Sequence, residues 1–441
     1  MSVRYRTILP TFYHKYLGGA GRGWLQINME QPLANSVGSW PTTEEDEMYW
    51  RDLAAEFLDA PNEVYLNTGS WGVLHQATFA ALVKGLQELE GNPTQNRGYL
   101  VERMNLARRK LGCFINAQPE DLAFTTNVTI SMNQIVHGLD WQSGDEILAS
   151  DQEYGAINNC LDHAEKRHGV VVRRASIGIP PAGPDEIVDS FRTALSERTR
   201  MLLVSHVTSP SGLITPIREL ADLAHEHGAM IAVDGAHAPG QIPLDLTGYG
   251  CDFYGGNCHK WLCAPKGTGF LHVAPQVQNK LHHIAVSHGY HGDGPLRNDQ
   301  GQLQLHGQPF MWQLTSIGTR ELSCFGAVYE AVALQNEIGK ERIAARGRQL
   351  AGYLRQRMAD TGWVEPLYSP HPALSNSLST FRLKGFGDVN PGQALYEKYK
   401  ITTPIWGEGE LGYTQRVSTH IYNHFDDIDR MVAALTEIRE G

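Results

Sequence analysis

The sequence predicts an α/β protein: a large domain built on a mostly parallel sheet with helices on both faces, followed by a smaller α+β domain. Three observations predict it. At 441 residues the chain exceeds what one hydrophobic core usually supports. Short apolar runs alternate with amphipathic stretches from Val64 onward, and that rhythm changes near residue 320. Leu122–Thr125, Glu146–Ala149, Val170–Arg173, Met201–Ser205, Met230–Val233 and Gly269–Val273 have the composition of buried strands. Between them, Val128–Leu139, Ile157–His168, Asp185–Leu195 and Ile217–His227 carry apolar residues at helical spacing. Parallel neighbours need a crossover, and a helix is the usual one, so this alternation calls for a parallel sheet.

After residue 320 two long helical patterns follow, Leu322–Ile338 and Arg342–Met358. Then come a strand near Ser377–Leu383, a helix near Gly392–Lys398, a strand near Gln415–Ser418 and a closing helix at Asp426–Arg439. Residues 1–60 are weakly periodic and lead into an acidic helix at Glu44–Leu58. The expected division is an N-terminal arm and helix over 1–60 packing on the small domain, a large domain over 61–320 and a small domain over 321–441.

A formal net charge of -11 argues against a nucleic-acid binder. No run of about 18 apolar residues exists, so no membrane span is expected. The N-terminus has no secretory apolar segment, and the six cysteines are scattered without a CxxC pair. Both features fit reduced thiols in a cytoplasm. His282, His283, His288 and His291 lack a tetrahedral ligand spacing, so no metal is expected.

The chemistry concentrates in Val233-Asp234-Gly235-Ala236-His237-Ala238-Pro239-Gly240 and in Asn257-Cys258-His259-Lys260-Trp261. Asp234 ends an apolar strand, where ligands of α/β sheets bind. A carboxylate there either caps the next helix or faces a heterocyclic N–H⁺. Lys260 sits among Tyr254-Gly255-Gly256 and Trp261-Leu262. An amine against an apolar wall loses ammonium solvation and becomes a nucleophile. Thr125-Thr126-Asn127-Val128-Thr129 opens a helix, and a helix N-terminus attracts anions.

These motifs, in this order, resemble fold-type I enzymes dependent on pyridoxal 5′-phosphate (PLP). Within that group the chain is similar to the class V aminotransferase and cysteine desulfurase superfamily, nearest its isopenicillin N epimerase-like branch. The resemblance runs from about Tyr65 to the C-terminal helix and implies a seven-stranded-type sheet. It gives Lys260 the covalent Schiff-base link to PLP and Asp234 the pyridine nitrogen. It gives Asn127, Val128, Thr129 and His259 the phosphate, with Asn257 standing where many relatives have Ser. His237 occupies the place of a family Gln near the phenolic oxygen. Tyr154 matches the aromatic residue stacked on the ring and is a second catalytic candidate. In Ser205–Gly212, either Ser209 or His206 faces the cofactor, unless the segment is only a turn.

Gly318 and Thr319 resemble a family turn that crosses a dimer interface to the neighbour's phosphate, which implies a homodimer with shared sites. Arg416 matches the family's α-carboxylate clamp, since a guanidinium grips a carboxylate through two parallel bonds. Asn67, Ser70 and His288 are placed by the resemblance at the substrate mouth.

The substrate so implied is a small molecule, an amino acid. A persulfide-forming desulfurase needs a mobile cysteine shortly before the arginine, and none lies between Ile401 and Arg416. The expected reaction is C–S bond cleavage by β-elimination of a cysteine conjugate, in thiol or natural-product metabolism. Elimination needs one base, whereas the alternative of epimerisation needs a second acid on the far face. Transamination and decarboxylating or oxidative variants are further alternatives. A catalytically inactive binding protein is opposed by the presence together of Lys260, Asp234 and Arg416.

Overall fold

The computed structural model describes residues 43–58, 62–287, 290, 295–297, 303–305, 308–387, 389–407 and 412–441. Its centre is a seven-stranded sheet. The strands are β1 (Leu122–Thr125), β2 (Glu146–Ser150), β3 (Val171–Ala175), β4 (Thr199–Ser205), β5 (Met230–Gly235), β6 (Phe253–Asn257) and β7 (Gly269–Val273). Their spatial order is β1-β7-β6-β5-β4-β2-β3. Only β7 runs antiparallel to its neighbours, β1 and β6.

Each central strand is apolar on both faces, as a sheet covered twice requires. In β4, Leu202 and Val204 enter one core while Met201 and Leu203 enter the other. The second face carries Ala232 and Phe253 and is covered by α1 (Val128–Gly138) and α2 (Gly155–His168). Asp234, two residues beyond Ala232, projects from this same face.

Strand β6 escaped the sequence reading because Gly255 and Gly256 disguise it. The structure requires both. A Cβ at Gly255 would lie 2.8 Å from Met132 and 3.0 Å from Ser131, and one at Gly256 would lie 2.2 Å from the Phe270 ring. Small residues here let α1 press its N-terminal turn onto the sheet.

The C-terminal part forms a four-stranded antiparallel sheet from Val364–Pro366, Leu378–Leu383, Ile405–Gly407 and Tyr413–Ser418. The predicted helix over Leu322–Ile338 divides into Ser323–Gly326 and Val328–Ile338. The acidic helix spans Glu44–Ala54, shorter than expected. Past it, Phe57 bridges to His75 instead of continuing the helix. Val64–Tyr65 pairs with Ile401–Thr402, and Asn67 bridges Ser418, so residues 64–67 are stitched to the C-terminal part of the chain. No helix among the described residues is long and apolar enough to cross a membrane.

Candidate active site

The site lies where β5 and β6 end. Asp234 pairs in register with Ser205 on β4 and is only 3% exposed. Its Oδ1 accepts from the Ala236 backbone N–H at 2.8 Å. Burial pushes its carboxyl above the usual range, opposed by that amide and by the Lys260 amine. Lys260 follows β6, and its Nζ lies 3.1 Å from His237 Nε2. Burial lowers the Lys260 amine to about 8, against the pull of Asp234 and with the push of Arg416. The turn carrying Gly72 lies directly on this lysine: the Gly72 amide donates to His259 O at 2.9 Å. A Cβ at residue 72 would meet Lys260 O at 1.9 Å, so only glycine fits.

Beside Lys260, the N-terminus of α1 is already partly capped. Asn127 Oδ1 accepts from Ile130 N at 3.0 Å, and Asn257 Oδ1 accepts from Val128 N at 2.9 Å. Accepting through Oδ1 turns the Asn257 amide group outward as a donor. His259 Nδ1 donates to Thr268 O at 2.8 Å, which leaves its Nε2 facing away from the backbone.

Opposite stands Arg416 on the Tyr413–Ser418 strand. Its Nη1 donates to Ser209 Oγ at 2.8 Å and its Nη2 to Ser70 Oγ at 3.1 Å. Three polar atoms around it, Asn67 Oδ1, Arg416 Nε and Ser418 Oγ, are buried with no partner. Ser418 Oγ lies close to the Arg416 guanidinium and the His237 ring: a Cβ on Gly69 would lie 2.7 Å from Ser418 Oγ, 3.4 Å from His237 Cε1 and 3.6 Å from Arg416 Nη2. Tyr154 caps α2 without a side-chain bond, is half-exposed and lies near the Arg416 guanidinium.

The structure therefore brings together Asp234, His237, Lys260, Asn257, His259, Asn127, Val128 and Thr129 on one side, and Asn67, Ser70, Arg416 and Tyr154 on the other. Of the two alternatives in Ser205–Gly212, Ser209 holds Arg416. His206 instead meets the Tyr254 hydroxyl at 2.9 Å in the opposite core. Gly318, with φ of +83°, and Thr319 sit in an exposed turn. Their neighbour Arg320 donates to Phe124 O at 3.4 Å. His288 lies outside the described residues. No group of three metal-ligating side chains is found among the described residues.

Two residues beside the site were not singled out from the sequence. Ser418 shares a strand face with Arg416 two residues earlier, a period-2 signal that was available. Glu153 had no such signal. It is buried beneath the site, where Ser150 Oγ donates to it at 2.5 Å and Ser205 Oγ at 2.6 Å. Burial raises it to about 7.

Residues 64–431 match the profile described as aminotransferase class-V. The chain belongs to this family. It is 35% identical over 393 residues to the isopenicillin N epimerase of Amycolatopsis lactamdurans, covering 88% of this chain and 98% of that protein. The isopenicillin N epimerase of Streptomyces clavuligerus is 34% identical over 394 residues, covering 88% and 97%. A solved complex of the cystine C–S lyase C-DES with cysteine persulfide superimposes with a TM-score of 0.76 at 21% identity, covering 86% of this chain and 98% of that one. It shares the fold. The chain is thus an enzyme of the lyase or epimerase type, and PLP is its cofactor. The donor set fits that group: an amine of lowered basicity lies near a buried carboxylate, Asn257 ties the helix N-terminus to the end of β6, and unpartnered polar atoms flank Arg416.

Proposed function

We propose that this enzyme cleaves a C–S bond, removing the Cα proton of a cysteine conjugate and expelling sulfur from Cβ as a thiol. One observation carries the reading: the Lys260 amine stands between Asp234 and Arg416, and the cysteines beside it in the chain, Cys258 and Cys263, are buried. Elimination needs that single base, because the electron pair released at Cα forms the Cα=Cβ bond, the C–S pair departs with sulfur, which takes up the proton as a thiol, and nothing must approach the far face. Burial raises the Cys258 thiol, and raises Cys263 to about 12, so neither is a ready acceptor for sulfur.

When bound, PLP supplies an electron sink conjugated with the substrate's amino group. Lys260 Nζ would hold the cofactor and, as a free amine, would accept the Cα proton. Asp234 would face the ring nitrogen and favour its protonated form, since a buried carboxylate is stabilised most by an adjacent N–H⁺. The N-terminal turn of α1 over Asn127, Val128 and Thr129, with Asn257 and His259, would hold the phosphate, the Val128 amide acting through Asn257, to whose Oδ1 it donates. Tyr154 would stack on the ring. Arg416, its plane fixed by Ser70 and Ser209, grips the α-carboxylate, with Asn67 and His288 at the substrate mouth. The atoms balance with water: the conjugate gives thiol, pyruvate and ammonium.

The exposed Gly318–Thr319 turn fits a homodimer in which it reaches the partner's phosphate. With this reading we propose a cytoplasmic enzyme divided into an arm to residue 60, a large domain over 61–320 and a small domain over 321–441.

A second reading is epimerisation. The epimerase relatives at 35% and 34% identity favour it, as does the half-exposed Tyr154 hydroxyl as a far-side acid. Incubation of holoenzyme with S-substituted L-cysteines and L-amino acids in D₂O separates the two. Thiol, pyruvate and ammonia support elimination. Recovered substrate of inverted configuration with deuterium at Cα replaces it by epimerisation.

A further inference from the structure

Two groups address the His237 ring from its two nitrogens. Nε2 lies 3.1 Å from Lys260 Nζ, and Nδ1 lies 3.3 Å from Trp261 Nε1. An indole N–H only donates, so Nδ1 must be bare and accept. A neutral imidazole carries one proton, which then sits on Nε2 and points at Lys260. A charged ring is excluded twice. Burial first, then Lys260, Arg416 and His259, hold its basicity well below the usual histidine value. A second proton on Nδ1 would also face the indole N–H donor to donor.

The indole cannot yield. Trp261 is fully buried, and its carbonyl accepts from His420 Nε2 at 2.7 Å and Gln335 Nε2 at 3.0 Å. Its ring packs edge-on against His420, with centroids 5.6 Å apart. The His237 backbone is held as well, its carbonyl accepting from Gln241 Nε2 at 2.8 Å.

We propose that Trp261 is a positioning residue that locks His237 in the neutral Nε2–H form, making it a fixed hydrogen-bond donor toward Lys260 Nζ and never a proton acceptor in the reaction. A donor aimed at Nζ needs a lone pair there, so it favours the neutral amine, the form that attacks a carbonyl carbon and takes a proton from Cα. Around Lys260 the charged and titratable groups are Asp234, Arg416, His237 and His259; of these Asp234 favours the ammonium form. The lock also removes His237 as a candidate second base for epimerisation. It rests on the PLP reading only for its role in turnover, because the tautomer belongs to the chain itself.

The test uses cofactor-free protein labelled with ¹⁵N-histidine. Long-range ¹H–¹⁵N spectra between about pH 6 and 9 should show one ring with Nε2 protonated and Nδ1 bare, a signal assigned by its absence in His237→Gln. In Trp261→Phe that ring should become a tautomer mixture. The pH midpoint for acetic anhydride labelling of Lys260, read by peptide mass, should then rise by roughly half to one unit. His237→Gln should keep the low midpoint, since a carboxamide accepts from the indole and donates to Nζ. An Nδ1–H tautomer in the unsubstituted protein, or an unmoved midpoint in folded Trp261→Phe, overturns the proposal. If Trp261→Phe does not fold, the unsubstituted spectrum decides alone: Nε2–H with a slowly exchanging Trp261 indole proton supports it, and Nδ1–H overturns it. A missing PLP adduct at Lys260 would sink the functional reading and leave this result standing.

Discussion

On the large-sheet side of the site, Asp234, His237, Asn257, His259 and Lys260 each have a hydrogen-bond partner from the chain itself. On the Arg416 side, Asn67 Oδ1, Arg416 Nε and Ser418 Oγ are buried with none. An unpartnered buried polar atom costs about 1–3 kcal/mol. The first half is therefore set before any ligand arrives, whereas the second carries a cost that a polar ligand relieves. In the proposed function that difference corresponds to chemistry and cofactor at the sheet ends and substrate recognition on the C-terminal strand.

The largest expected effect is at Lys260. Lys260→Ala should lower kcat by roughly 10²–10⁴-fold, measured as product formed by fully PLP-loaded protein. Asp234→Asn should lower kcat by roughly 10²-fold with KM little changed, because the lost charge acts on the developing electron density. Arg416→Lys should do the reverse. It keeps the charge but loses the fork, and KM should rise roughly 10- to 100-fold in steady-state kinetics while kcat stays near its starting value. If Asp234→Asn moved KM and Arg416→Lys moved kcat, the division of labour between the halves would be broken.

The pH dependence has a definite sign. Burial lowers Lys260 from 10.5 to about 8, and the base must be the neutral amine. Turnover should thus climb as pH rises through about 8 and level off above it, in a kcat profile at saturating substrate. The smallest effect is expected at Ser418. Ser418→Ala removes an orphaned hydroxyl, so thermal unfolding should show equal or slightly higher stability, while KM rises a few-fold. Lower stability with unchanged KM would make Ser418 structural.

Much of this was legible in the sequence where one physical signal acts locally. Leu122–Thr125 and Gly269–Val273 are apolar runs bounded by turn residues, and both form as read. Asp234 and Lys260 stood out because a carboxylate and an amine interrupt apolar runs. What escaped depends on long-range packing. Phe253–Asn257 is a strand because two glycines admit a helix on one face and the Phe270 ring on the other, neither of which is near in sequence. The roles of Ser209 and His206 were undecided because their facing depends on which core each strand end meets. Glu153 and Trp261 act through neighbours from other strands and helices, so their own letters carry no sign of it.

The central claim is that Lys260 is the residue carrying PLP. Borohydride reduction of the holoenzyme followed by peptide mass mapping tests it most directly. The account predicts a stable pyridoxyl-phosphate adduct on the peptide containing Lys260 and on no other. An adduct confined to another lysine, such as Lys266, or no adduct in protein that retains PLP, would contradict it.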